Sequence, residues 1–188
     1  MKLYLASQSP RRTKLLREAG LSHRIVRAAY KETGGRGLGP AALVRKHARG
    51  KALAVLSKVE SGLIIAADTL VYFDGKIIGK PRSRREAEKT LLSLQGRWHT
   101  VYTAVALVVM KKKSPQKKIL FHEKTKVRLK KMDLAGIRRY FRRVDPMDKA
   151  GAYAIQSKRN TIVEEVRGSF SNAVGLPMER LCAKMRAL

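Results

Sequence analysis

Seven polar side chains in this sequence have the types needed for chemistry on a phosphoric anhydride: Arg11, Arg12, Glu32, Lys51, Asp68, Lys80 and Gln156. A triphosphate needs several cations to neutralise its oxygens. Its hydrolysis needs a divalent ion together with a carboxylate that can orient or deprotonate water. Glu32 and Asp68 can supply the carboxylates, and Arg11, Arg12, Lys51 and Lys80 the fixed positive charge. Asp68 stands out because it follows the wholly apolar run 63–67, as an acid at the end of a central strand, where open α/β sheets bind ligands. Plainer readings stand beside these: Glu32 as a solvated loop residue, Lys51 as a solvated helix lysine, and Gln156 as a strand-end amide bonded to backbone.

Those residues must be positioned by the elements around them, and the first dozen residues organise the rest. Residues 3–5 read as a short buried strand running into the polar turn Ser7-Gln8-Ser9, with Pro10 opening a helix whose apolar stripe is Leu15, Leu16 and Ala19. The helix N–H groups, the hydroxyls of Ser7 and Ser9 and the guanidinium groups of Arg11 and Arg12 would then converge at the end of the strand, on a point suited to phosphate. An ordinary capped helix with two solvated arginines is the alternative. Downstream, residues 23–26 read as a strand and 34–40 as a glycine-rich loop. Pro40 opens a helix that carries Lys51, and 63–67 form a strand ending on Asp68-Thr69. Residues 70–73 and 76–78 flank the hairpin signal Asp74-Gly75, whose second arm leads to Gly79-Lys80-Pro81. A helix follows from Arg82-Ser83 to near Gly96, then two long strands over 100–110 and 119–129 joined by the lysine-rich tip 111–118. The remaining elements are a helix capped by Asp133, strands over 152–155 and 161–166, and a final helix opened by Leu176-Pro177.

The formal charge is +28 and the basic residues are spread along the whole chain. Such a surface should bind nucleic acid nonspecifically at low salt through phosphate contacts, or draw in a polyanionic small substrate. Few aromatics lie among the basic residues to stack bases. The single cysteine, Cys182, excludes an internal disulfide and reads as a packed thiol. No run approaches the roughly twenty apolar residues of a membrane span, so a soluble, cytoplasmic protein with no membrane partner is expected. Length and 44% hydrophobic content suit one domain over 1–188.

Six motifs in order, Ser7-Gln8-Ser9-Pro10-Arg11-Arg12, Ala67-Asp68-Thr69, Gly79-Lys80-Pro81, Leu94-Gln95-Gly96-Arg97-Trp98-His99, the segment from Asp148 to Gln156, and Val174-Gly175-Leu176-Pro177, make the chain resemble the Maf family of nucleotide pyrophosphatases along almost its whole length. The resemblance implies an α/β fold of the Maf/ITPase-like kind: an elongated mixed β-sheet flanked by helices, in two lobes with a central cleft. It also implies dependence on Mg²⁺ or Mn²⁺ and a homodimer. Carried over residue by residue, it makes Asp68 the proton acceptor and, with Glu32, a metal-side carboxylate, and makes Lys51, Lys80, Arg11 and Arg12 phosphate ligands. Arg11, Thr69 and Gln156 match the branch acting on dTTP and UTP, and an amide such as Gln156 can both donate to and accept from a pyrimidine edge. The expected reaction converts the triphosphate to the monophosphate and pyrophosphate. A basic nucleic-acid-binding protein on a retained scaffold is the rival. One departure is local: the family usually has an acid before the lysine matching Lys51, whereas Gly50 stands here inside a helix, at about 1 kcal/mol relative to alanine.

Overall fold

The computed structural model describes residues 1–35, 37–155 and 162–188. Its centre is a seven-stranded mixed sheet in the order β2-β1-β3-β5-β6-β7, with β4 paired to β3 off that path. The strands are β1 (Leu3–Leu5), β2 (Arg24–Ile25), β3 (Gly62–Phe73), β4 (Lys76–Ile78), β5 (Trp98–Lys111), β6 (Ser114–Leu129) and β7 (Val163–Arg167). Among the described residues six α-helices flank them: α1 (Pro10–Glu18), α2 (Pro40–Leu53), α3 (Arg84–Leu94), α4 (Leu134–Phe141), α5 (Phe170–Val174) and α6 (Met178–Arg186). This is the expected mixed sheet with flanking helices. None of the described helices is long and apolar enough to cross a membrane.

Side-chain alternation along β3 and β5 divides the core in two. Leu63, Ile65, Ala67 and Val71 of β3 join Val101, Val105 and Leu107 of β5 under α1, α3, α4 and the α5–α6 corner. Ile64, Ala66 and Leu70 join Ala104, Ala106 and Val108 under α2 and the segment that follows it, through Val55 and Val59. Leu63, Ile64 and Ile65 have no exposed surface, as expected of a strand covered on both faces, and each such side chain contributes about 2 kcal/mol relative to exposure.

The central strand is longer than its apolar run suggests. β3 does not end at Asp68 but continues to Phe73, because its register with β5 is unbroken from Gly62↔Met110 to Tyr72↔Thr100. What changes at Asp68 is the opposite edge. There β1 pairs in parallel at Leu63, Ile64 and Ile65, and β4 pairs antiparallel at Val71, Tyr72 and Phe73. Residues 70–73 therefore belong to β3 rather than to a separate strand.

Three other expectations are corrected. The lysine-rich tip is a tight turn, with Lys112 and Lys113 both at positive φ, so that Lys111 already pairs with Ser114. Residues 152–155 form no strand. A 3-10 turn over Ala150–Ala152 places Gly151 at φ 73°, its N–H donates to the Gly79 carbonyl at 3.2 Å, and the Ala154 N–H donates to Tyr140 Oη at 2.9 Å, so neither is free for a ladder. The last helix starts at Met178, behind the short helix α5, whose N-cap Ser169 accepts from the Asn172 N–H.

Candidate active site

The two partners of β3 leave a break on one edge, and the cleft opens there. It has a volume of about 310 Å³ and is lined from β3 by Asp68, Thr69, Leu70 and Val71, from α1 by Arg11 and Arg12, and from α2 by Leu43, His47 and Lys51. Because successive residues of a strand face opposite sides, Asp68 points toward α2 and Thr69 toward α1. Of the sequence-derived candidates, Ser9, Arg11, Arg12, Glu32, Lys51, Asp68, Thr69 and Lys80 all line this one cleft. Ser7 lies beside it in the adjoining depression. Gln156 lies outside the described residues.

Lys51 is the hub of the acidic side. Its Nζ lies 2.6 Å from Asp68 Oδ1 and 2.6 Å from Glu32 Oε1. The Asp68 side chain is 9% exposed and that of Glu32 52%, so one acid lies at the floor and the other at the mouth. Burial pushes the Glu32 carboxyl up, but the hydrogen bond and charge of Lys51, with His47 and Lys80 nearby, outweigh it and hold its pKa below the ordinary carboxylate value. Lys51 is therefore not a solvated helix lysine.

Arg12 is the brace of the opposite wall. Its guanidinium donates from Nε to the Gly175 carbonyl (2.8 Å), from Nη1 to Ser7 Oγ (2.9 Å) and from Nη2 to Thr69 Oγ1 (3.0 Å), tying three distant segments together. Burial, and then the neighbouring charge of Arg11, lower its pKa to about 10 against the opposing pull of Asp68 and Glu32; it is charged at neutral pH. Behind it, Thr69 Oγ1 lies 3.0 Å from Thr103 Oγ1, which donates to the Asn172 carbonyl at 3.0 Å. Ser9 stands at the N-cap of α1 but its hydroxyl makes no capping bond to the first-turn N–H groups.

Arg11 projects across the cleft mouth. Its Nη1 donates to Asp148 Oδ2 at 2.8 Å, and Asp148 also pairs with Lys149. Burial pushes the Asp148 carboxyl up, but Lys149 and Arg11 outweigh this and hold its pKa low. Lys80, at the end of the β3–β4 hairpin, is exposed and makes no ion pair among the described residues.

Sequence reasoning gave no role to Asp148, Lys149, His47 or Tyr153, which all line the cleft. For His47 a signal existed: it precedes Lys51 by four residues, one helical turn on the same face. For Asp148 and Lys149 the signal was their membership of a motif already noted. Among the described residues no cluster of three or more His, Cys, Asp or Glu side chains is placed to hold a metal ion. The donor set here is two carboxylates. That suits a hard cation taking its other ligands from water and phosphate.

A profile of the Maf-like protein family matches residues 2–188. A dTTP/UTP pyrophosphatase from Pelotomaculum thermopropionicum is 44% identical over 184 residues, covering 98% of this chain and 95% of that protein. Proteins of the same description from Gloeobacter violaceus and Aquifex aeolicus are 40% identical (96% and 93% covered) and 38% identical (100% and 96% covered). Among solved structures, a HAM1 protein from Coxiella burnetii shares the fold with a TM-score of 0.53 at 14% identity, over 100% of both chains.

Proposed function

Because the chain belongs to the Maf family, we propose that it hydrolyses dTTP and UTP to the nucleoside monophosphate and pyrophosphate. The observation that carries the mechanism is the Lys51 ammonium gripping Glu32 and Asp68 together in a cleft that Arg11, Arg12, Lys80 and Lys149 also line.

In this reading Asp68 is the general base. Lys51 holds its Oδ1, which leaves Oδ2 to accept a proton from a water molecule in the cleft. The water oxygen forms a bond to the α-phosphorus, the bond from that phosphorus to the α–β bridging oxygen breaks, and its electron pair leaves with pyrophosphate. Glu32 and Asp68 would hold a divalent cation, Mg²⁺ or Mn²⁺, which neutralises charge on the phosphate oxygens when bound. Lys80 and Arg11 bind the β- and γ-phosphates from the two sides of the mouth, and Ser9 with the open N–H groups of α1 adds neutral donors. Binding there draws Arg11 from Asp148 and leaves that acid with Lys149.

Arg12 acts through Thr69 and Ser7, fixing the wall against which the base lies, and Gln156 supplies the amide that reads the pyrimidine edge. The proposal extends to a cytoplasmic homodimer, and to nonspecific nucleic-acid binding that fades as salt rises, as a +28 surface requires. A panel of nucleoside triphosphates assayed for pyrophosphate release with Mg²⁺ or Mn²⁺ tests the reading. dTTP and UTP should turn over faster than CTP and the purine nucleotides. Equal rates on all of them, or a preference for a methylated guanine nucleotide, would defeat it.

A further inference from the structure

Along α2, Leu43, His47 and Lys51 recur every four residues and face the cleft together. His47 is only 5% exposed. Its Nδ1 lies 3.0 Å from Tyr30 Oη, and the rings meet edge to face with centroids 5.8 Å apart. Nε2 makes no hydrogen bond among the described residues, and His47 lines the cleft. One nitrogen is pinned and the other is left without a protein partner among the described residues.

The pin depends on the anomalous glycine. A Cβ on residue 50 would lie 2.2 Å from Tyr30 Cε2 and 2.5 Å from Cζ, so the Tyr30 ring occupies the space that any other residue at 50 would fill. The cost of glycine inside the helix is thereby offset by the seating of an aromatic ring against α2. Tyr30 stands two residues before Glu32, so the same contact fastens the Glu32 segment over Lys51.

We propose that His47 is a further binding residue for the polyphosphate group: Tyr30 donates its O–H to Nδ1, the ring proton is thereby carried on Nε2, and Nε2–H donates to a phosphate oxygen. Lys51 is engaged by two carboxylates, whereas His47, one turn away on the same helix face, is hydrogen-bonded at Nδ1 to Tyr30 and has Nε2 to offer as a further donor. Tyr30 is a positioning residue in this scheme and Gly50 makes room for it. The inference rests on the activity proposed above, and its test is separable from it.

The test measures the Kd of inorganic pyrophosphate in Mg²⁺ by calorimetry for the wild-type protein and for His47→Leu, His47→Gln and Tyr30→Phe. Long-range proton–nitrogen spectra of histidine-labelled protein report the tautomer in the same preparations. Loss of one hydrogen bond to a charged ligand should raise Kd about tenfold in His47→Leu. Glutamine, whose amide reaches the Nε2 position, should restore most of it. Tyr30→Phe should weaken binding less and lose the bias toward the Nε2–H form. A wild-type ring protonated on Nδ1, a Kd unchanged in His47→Leu while thermal stability falls, or no pyrophosphate binding by the wild type would each overturn the proposal. Pyrophosphate binding that depends on His47, in a protein that turns over no nucleotide, would instead leave this site standing and remove the proposed activity.

Discussion

Replacing Lys51 with methionine keeps the length of the side chain and removes the charge that joins Glu32 to Asp68. At 2.6 Å and an effective dielectric of about 20, the Lys51–Asp68 attraction is roughly 6 kcal/mol before desolvation is subtracted. Removing one partner of a mostly buried pair costs about 3–5 kcal/mol, because the other charge is left uncompensated. Asp68 is mostly buried, and Glu32, half exposed, adds no more than about 1 kcal/mol. The cleft mouth is open to water, so the low end of the range applies and Lys51→Met should lose about 3 kcal/mol at neutral pH. In a chain of this length that is roughly 10 °C in Tm.

The pH dependence carries a sign. Glu32 has its folded pKa depressed by Lys51, so its contribution is present above the unfolded carboxylate pKa and disappears as pH falls through the lower folded value. The difference between wild type and Lys51→Met should therefore shrink on acidification. Urea denaturation at neutral pH and near pH 4 measures it. A loss of equal size at both pH values, or a variant as stable as wild type at neutral pH, would refute the reasoning.

Thr103→Val keeps the volume but removes the hydroxyl between Thr69 and the Asn172 carbonyl; it should cost about 1–2 kcal/mol in urea denaturation and leave Thr69 Oγ1 held by Arg12 alone, with the preference for dTTP over CTP unchanged or slightly reduced. His99 is 3% exposed and bonded to Tyr153 Oη at 2.7 Å, and burial lowers its pKa to about 4 from 6.5. The unfolded chain therefore binds the extra proton, stability falls as pH drops from 6.5 toward 4, and His99→Phe should flatten that limb in acid-denaturation profiles.

Much of this was legible in the sequence because local signals and the fold agree. Ser-Pro at the start of α1, Asp133 before α4 and the unbroken apolar run 63–67 each act through local chemistry, and each element forms where that chemistry places it. The misreadings came where a partner distant in sequence decides. Asp68 looks terminal because polarity changes there, yet β5 pairs straight past it, and the true boundary is the change of neighbour from β1 to β4 on the far edge. Residues 152–155 have strand composition, but the Lys149 carbonyl takes the Ala152 N–H and Tyr140 Oη takes that of Ala154. The candidate cations all gather at the cleft, but their division of labour was invisible: the fold alone spends Arg12 on Gly175, Ser7 and Thr69 while Arg11 faces Asp148. Gly50 read as a defect because the ring that needs its missing Cβ comes from Tyr30, twenty residues earlier.

The central claim is that water activated by Asp68 attacks the α-phosphorus, and hydrolysis of dTTP in ¹⁸O-labelled water followed by mass spectrometry of both products tests it most directly. One labelled oxygen should appear in the nucleoside monophosphate and none in pyrophosphate, with Asp68→Asn slowing the reaction by at least about a hundredfold. Label in the pyrophosphate, release of diphosphate and orthophosphate instead, or undiminished turnover in Asp68→Asn would contradict the account.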